Sequence, residues 1–468
     1  MLVAFLSAAC WSFITPPFQV PDEPAHFAYV QQLAETGRLP SSGVETYSPE
    51  EMAALRGLRW EEVKQSPQTL SISSSTQQRA LQRALAAPLS RAGTGDAGVA
   101  ASEPPLYYAL ETIPYALGAG GSLLDSLELM RLLSALMAGL TALFTFLFVR
   151  EALPGARWAW IVGGLGVALV PLLGFTAGGV TPDALLFAVS AALFYCLARA
   201  FRRGLTQRSA GAIGAVIAVG LLTKLNFVGL LPGALLGLVL LARAAARTSG
   251  REAYRWLALG VGVAACPAVA FALVNAISGH PALNLASATA GVSHHGSIVG
   301  EISYIWQLYL PRLPGMARDF PGFSTTRGIW FDGYVGLYGW LDTAFAGWVY
   351  DAALVPAALI AALCARALVT GRAALRSRLA ELLVYAAIGL GVLVLVGADS
   401  YLLFPRVAAE YGQARYLLPL LPLLGAVLAL AARGAGRRWG PAAGALILVL
   451  FLAHDLFSQL QTIARYYG

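Results

Sequence analysis

The chain has 468 residues, 57% of them hydrophobic and only 12% charged, with a formal net charge of +7 at pH 7. An ordinary soluble domain carries about twice that charged fraction, and apolar runs of roughly 17–22 residues, long enough to cross a hydrocarbon core, recur along the sequence. These values exclude a soluble globular protein. The arginines sit in short loops between apolar runs, which reads as membrane topology rather than nucleic-acid binding.

The first apolar segment, about 2–15, is short for a crossing and lacks the Lys/Arg of a signal peptide. Pro16-Pro17 ends it. Residues 16–128 form a first long loop, which opens on Pro21-Asp22-Glu23-Pro24-Ala25-His26. Within this loop 25–35 reads as an amphipathic helix, with Phe27, Val30, Leu33 and Ala34 at helical spacing, and 49–64 as a second. Residues 90–102 are rich in Gly, Ala and Ser. Glu103-Pro104-Pro105-Leu106-Tyr107-Tyr108 then starts a helix with proline in its first turn and an aromatic face suited to a membrane interface. Further spans are expected at 129–149, 158–175, 182–201, 210–222, 227–241, 256–277, 346–367, 379–396, 416–432 and 441–457. A second long loop fills 278–345. Residues 1–468 thus read as one all-α polytopic membrane domain of about eleven transmembrane helices, with juxtamembrane helices in two long loops.

Alternate short loops hold Arg150/Arg157, Arg199/Arg202/Arg203/Arg208, Arg243/Arg247/Arg251/Arg255, Arg366/Arg372/Arg376/Arg378 and Arg433/Arg437/Arg438. The excess of arginine places these on the cytoplasmic side of the membrane. The opposite side then receives both long loops together with Asp22, Asp183, Lys224 and Arg415. The four cysteines lie in or beside apolar spans without paired spacing, so neither a disulfide framework nor a metal site follows from them.

Charged residues at a membrane edge need a reason. Asp22 stands before Pro24 and can be read as a helix cap. Adjacent carboxylates with His26 one turn on also fit general-base or metal work. Transfer of a sugar from a phospholipid donor needs a base for the acceptor hydroxyl and a cation for the leaving phosphate; a divalent ion, Mg or Mn, held by Asp22, Glu23 and His26 is one way to supply the cation. Asp183 opens a span and suits the helix dipole, yet lies on the same side. Lys224, between two apolar spans, either snorkels to the interface or binds a lipid phosphate. Arg415, at the mouth of its span, opposes the positive-inside tendency, and phosphate coordination accounts for it; Arg131 is a weaker case of the same argument. The second loop offers His280, His294, His295, Glu301, Arg312 and aromatics including Trp306, Tyr309, Trp330 and Trp340, which could stack on sugars or belong to an interfacial belt. No Walker loop, Rossmann fingerprint or zinc HExxH motif is present, which argues against a nucleotide-driven pump.

Taken together, Pro21-Asp22-Glu23-Pro24-Ala25-His26-Phe27, Glu103-Pro104-Pro105-Leu106-Tyr107-Tyr108, Thr181-Pro182-Asp183-Ala184-Leu185 and the Thr223-Lys224 turn resemble the GT-C glycosyltransferases. Gln307-Leu308-Tyr309-Leu310-Pro311-Arg312-Leu313-Pro314, Tyr338-Gly339-Trp340-Leu341 and Ala414-Arg415-Tyr416-Leu417-Leu418-Pro419-Leu420-Leu421-Pro422 resemble a bacterial family of multi-pass membrane proteins assigned to the same superfamily. That superfamily includes protein mannosyltransferases and lipid A aminoarabinose transferases. The bacterial family is more similar still. The resemblance implies a polyprenyl-phosphate-linked sugar donor, a glycan, glycolipid or protein acceptor, and inverting transfer on the extracytoplasmic face. It makes Asp22 the catalytic base and Glu23 its partner, with Lys224, Arg415 and Arg131 on the donor phosphate. His26, Glu103, Tyr107, Asp183, Arg312 and Trp340 would support or touch substrate. Glu103 departs from relatives that carry His there. A lipid-linked glycan transporter and a non-catalytic assembly factor are the alternative readings.

Overall fold

A computed structural model describes residues 1–40, 47–72, 74–93, 98–277, 297–320, 322–407 and 412–468. Among the described residues the fold is all-α apart from one two-residue β-hairpin pairing, Leu337–Tyr338 with Thr343–Ala344. Among the described residues eight helices are long and apolar enough to cross a membrane, nine if one bent pair counts as a span. The helices Leu2–Ile14 and Gln207–Leu221 are apolar but shorter, so the expected eleven crossings are not all reached by length. The helix Pro182–Arg203 lies at the centre, and Leu123–Ala152 packs along it. Glu252–Ile277 and Gly347–Thr370 stay largely uncovered by protein, with apolar side chains outward. An apolar surface of that size is stable against lipid, not water. The protein is a multi-pass membrane protein.

Several elements differ from the sequence expectation. The segment expected as one span at 158–175 is two helices, Arg157–Ala168 and Pro171–Ala177, bent by 52°. Pro171 has no N–H to continue the helical ladder, so the chain turns at Leu169-Val170. The helix expected over 49–64 breaks into Pro49–Gly57 and Trp60–Val63, with Arg59 in left-handed conformation at φ 56°. Ser75–Ala86 was not anticipated, although Ser74 and Gln77 form a reciprocal capping box that the sequence displays. The last helix runs from Gly436 to Tyr467, well beyond the expected 441–457.

The charged ends of the bundle separate. At one end Glu151 pairs with Arg150, Arg202 and Arg203, and Arg378 donates to the Ala152 carbonyl, so three arginine-bearing loops meet there. At the other end Arg465 donates to the carbonyls of Val63, Ser66 and Thr69 and pairs with Asp342 at 2.6 Å. The last helix thereby ties the two long loops together.

Candidate active site

The site is built on the turn that follows the first helix. Pro16-Pro17 stops Leu2–Ile14, and Phe18 takes φ 65°. Its carbonyl receives the indole N–H groups of Trp60 at 2.9 Å and Trp340 at 3.2 Å. Asp22 also lies in the left-handed region, φ 66° and ψ 2°, directly before the helix Glu23–Thr36. Asp and Asn tolerate that conformation better than most residues, and such backbone strain concentrates at functional sites. Asp22 occupies the cap position, yet its carboxylate makes no capping hydrogen bond. The helix-cap reading therefore does not account for it.

Glu23 points the other way. Its carboxylate receives Nε and Nη2 of Arg131 at 2.8 and 2.6 Å, and both side chains are fully buried. Arg131 spends its remaining N–H groups on the carbonyls of Ser12, Thr15 and Pro16 at 2.9–3.0 Å. The Val180 N–H donates to the same carboxylate at 2.9 Å. Gly179 permits this approach, because a Cβ there would lie 2.6 Å from Val20. This is a correction to the expected roles. A carboxylate and a guanidinium whose hydrogen-bonding capacity is so spent have nothing left for a metal, a proton or a donor phosphate. They lock the first helix, the acidic turn and the Leu123–Ala152 helix together.

Asp22 instead meets Arg415, whose Nη2 lies 2.8 Å from its carboxylate. The Asp22 side chain is 35% exposed and Arg415 9%. The Arg415 Nε–H is buried with no partner among the described residues. Asp183 and Lys224 form a second pair at 2.9 Å, 4% and 11% exposed. Both pairs belong to one electrostatic cluster: Lys224 acts on Asp22, and Arg415 on Asp183. Glu103 joins it, accepting the Leu225 N–H at 3.2 Å beside Lys224. Burial alone would raise the Asp22 carboxyl, but Arg415, His26 and Lys224 outweigh it and hold it below its ordinary value. Burial pushes Glu103 up, partly offset by Lys224 and the Leu225 N–H.

His26 is buried one turn into the helix, with Nδ1 3.0 Å from the Tyr108 hydroxyl. Desolvation, reinforced by Lys224 and Arg415, lowers its pKa to about 3 against the pull of Asp22 and Asp183, so the imidazole is neutral at physiological pH. Tyr108, stacked on Tyr29 at 3.6 Å, is the residue the sequence reading missed. Adjacent residues on a helix are about 100° apart, so only one of Tyr107 and Tyr108 can face His26. Tyr107 goes into the interior, where its hydroxyl meets Ser134 at 2.8 Å and Ser134 donates to Glu111; it has no open face for substrate.

Trp340 and Arg312 make no hydrogen bond with Asp22, Asp183, Lys224 or Arg415. The Trp340 indole packs against Trp60, with Lys64 over both rings at 4.1 and 4.3 Å, so its face is already covered. Arg312 is exposed in the second loop and donates to the Met316 carbonyl at 3.3 Å. His280, His294 and His295 fall outside the described residues. Asp22, Glu23 and His26 do not fit a divalent cation as a set, because Arg131 occupies Glu23 and Tyr108 occupies the His26 Nδ1.

The arrangement offers a partly exposed carboxylate, a guanidinium with a donor to spare, and an ammonium nearby, above a lipid-facing bundle. Two solved structures are similar in outline. The crystal structure of ArnT from Cupriavidus metallidurans in the apo state is 14% identical, with a TM-score of 0.46, covering 92% of this chain and 59% of that one. The same protein bound to undecaprenyl phosphate is 15% identical, with a TM-score of 0.49, covering 99% of this chain and 75% of that one. Likeness at that level assigns neither fold nor chemistry. No curated protein sequence matches significantly. A family model described as "Predicted membrane protein (DUF2142)" matches residues 5–424, and the chain belongs to that family.

Proposed function

We propose that the protein is an inverting glycosyltransferase that moves a sugar from a polyprenyl-phosphate-linked donor to a glycan, glycolipid or protein acceptor. The active face would be the extracytoplasmic side of a bacterial inner membrane, opposite the arginine-rich loops. The observation that carries this reading is the Asp22–Arg415 pair, with its partly exposed carboxylate and its orphaned guanidinium N–H. A buried donor without a partner costs stability, and a phosphate oxygen is the acceptor a guanidinium fits best.

In the proposed step the acceptor hydroxyl oxygen attacks the anomeric carbon from the face opposite the phosphate. The anomeric C–O bond breaks, and polyprenyl phosphate leaves with the electron pair. Asp22 takes the hydroxyl proton. Arg415 and Lys224 carry the growing charge on the phosphate. Arg415 holds Asp22 by a hydrogen bond from Nη2. A donor phosphate competing for the guanidinium would release the carboxylate just when a base is needed. Asp183 keeps Lys224 charged and oriented. His26 stays neutral and, through Tyr108, sets the wall of the cluster.

The test is release of polyprenyl phosphate from a panel of polyprenyl-phosphate hexoses and pentoses by the purified protein. Asp22→Asn should lower transfer by about 10²–10⁴-fold, the usual weight of a general base. Asparagine keeps the left-handed turn, so full retained activity would remove Asp22 from the chemistry.

A further inference from the structure

The helix Ile298–Tyr309 is apolar on two faces. Tyr304 and Leu308 are buried. On the other side Ile298, Ile302 and Trp306, four residues apart each time, are between 37% and 76% exposed, and Leu310, in extended conformation just past the helix end, is 45% exposed. That spacing makes a single stripe, and an exposed apolar stripe on a membrane protein faces acyl chains. At the end of the stripe lies a pocket of about 290 Å³ lined by Gln307, Arg312, Arg318, Phe320 and Thr326 among others. This is just below the usual small-molecule range of about 300–1,000 Å³, a size for a head group rather than a whole lipid.

The pocket is held rigidly. The Gln307 amide donates to the Ala317 carbonyl at 2.8 Å and to Asp319 at 2.6 Å. Thr326 donates to the Gln307 carbonyl at 3.1 Å. The Asp319 carboxylate receives Gln307 and Ser303. Arg312 has no acidic partner among the described residues, and Arg318 Nε donates to the Phe320 carbonyl. Among the described residues the pocket lining carries two guanidiniums, Arg312 and Arg318, and no carboxylate.

We propose that this pocket and stripe form a binding site for an anionic phospholipid, separate from the Asp22 cluster. The head-group phosphate sits at Arg312 and Arg318, and one acyl chain lies along Ile298, Ile302, Trp306 and Leu310. Between the pocket and the Arg415 segment, the Trp330 indole donates to the Leu308 carbonyl, and a Cβ at Gly333 would lie 3.5 Å from Ala414.

The experiment compares the protein in nanodiscs of phosphatidylcholine with and without phosphatidylglycerol, by thermal melting and native mass spectrometry. Phosphatidylglycerol should raise the melting midpoint by about 3 °C and remain as a bound adduct, and Arg312→Gln/Arg318→Gln should lose both effects. Arg312→Lys should keep part of them. Asp22→Asn should bind the lipid normally, which separates this site from the catalytic reading. Equal behaviour in the two lipids overturns the proposal, as does a double variant that keeps the adduct. A stabilisation by glycerol phosphate as large as that by the lipid also overturns it, since the chain would then contribute nothing. The adduct count on the unmutated protein decides the matter even if the double variant folds poorly.

Discussion

Asp22 and Glu23 share a peptide bond, yet one side chain stays 35% exposed beside Arg415 and the other is fully buried against Arg131. The left-handed backbone at Asp22 separates them. Glu23 begins the helix and turns into the protein, while Asp22 remains outside the helix and faces the charged cluster. Two acids that look equivalent in the sequence therefore divide into a lock and a working group. A buried ion pair with its hydrogen bonds satisfied gives a unique arrangement, and losing one partner leaves an uncompensated charge. A partly exposed pair is worth little to stability and can exchange partners.

The largest expected effect lies on the lock. Arg131→Met leaves Glu23 buried and alone, and should cost about 3–5 kcal/mol, seen as a fall in melting temperature of the purified protein. Adding Glu23→Gln should recover much of that loss. If Glu23→Gln alone melted like the unmutated protein and abolished transfer, the division between the two acids would be wrong. Next comes the working group: Asp22→Asn should change stability by less than about 1 kcal/mol while removing transfer. Arg415→Lys tests the phosphate role. It keeps the charge and gives up the forked donor geometry, so we expect donor KM to rise about tenfold, a cost of about 1.4 kcal/mol.

The smallest effects are in pH dependence. His26 has a folded pKa of about 3 against 6.5 when free. Between those values the unfolded chain binds a proton that the folded one does not, so this group lowers stability as pH falls below about 6.5, by up to about 1.4 kcal/mol per pH unit. His26→Gln should flatten that slope in melting curves taken from pH 7 to 5. The Asp22 carboxyl is shifted below its ordinary value, so its ionised form and the stability it brings persist to lower pH than for a free aspartate. Transfer rates should accordingly show no inflection between pH 6 and 8 from either residue.

Much of the fold could be read from apolar runs, because every expected span contains a helix. Where that reading failed, short-range backbone chemistry decided, as at Pro171 and Arg59. In the candidate site, the sidedness of arginine in the loops pointed to Asp22, Asp183, Lys224 and Arg415, and the structure brings these four together. The fate of Glu23 was not legible, since its partner lies 108 residues away. The available clue was Arg131 itself, a guanidinium set inside an apolar run, which calls for a buried acid. Tyr107 and Tyr108 could not be told apart without the phase of their helix.

The most direct measurement is a cryo-EM structure of the protein with a polyprenyl phosphate bound. The phosphate should lie within hydrogen-bonding distance of the Arg415 guanidinium and near Lys224, with the Asp22 carboxylate released and facing open space. A phosphate bound elsewhere, with the Asp22–Arg415 pair unchanged, would contradict the assignment.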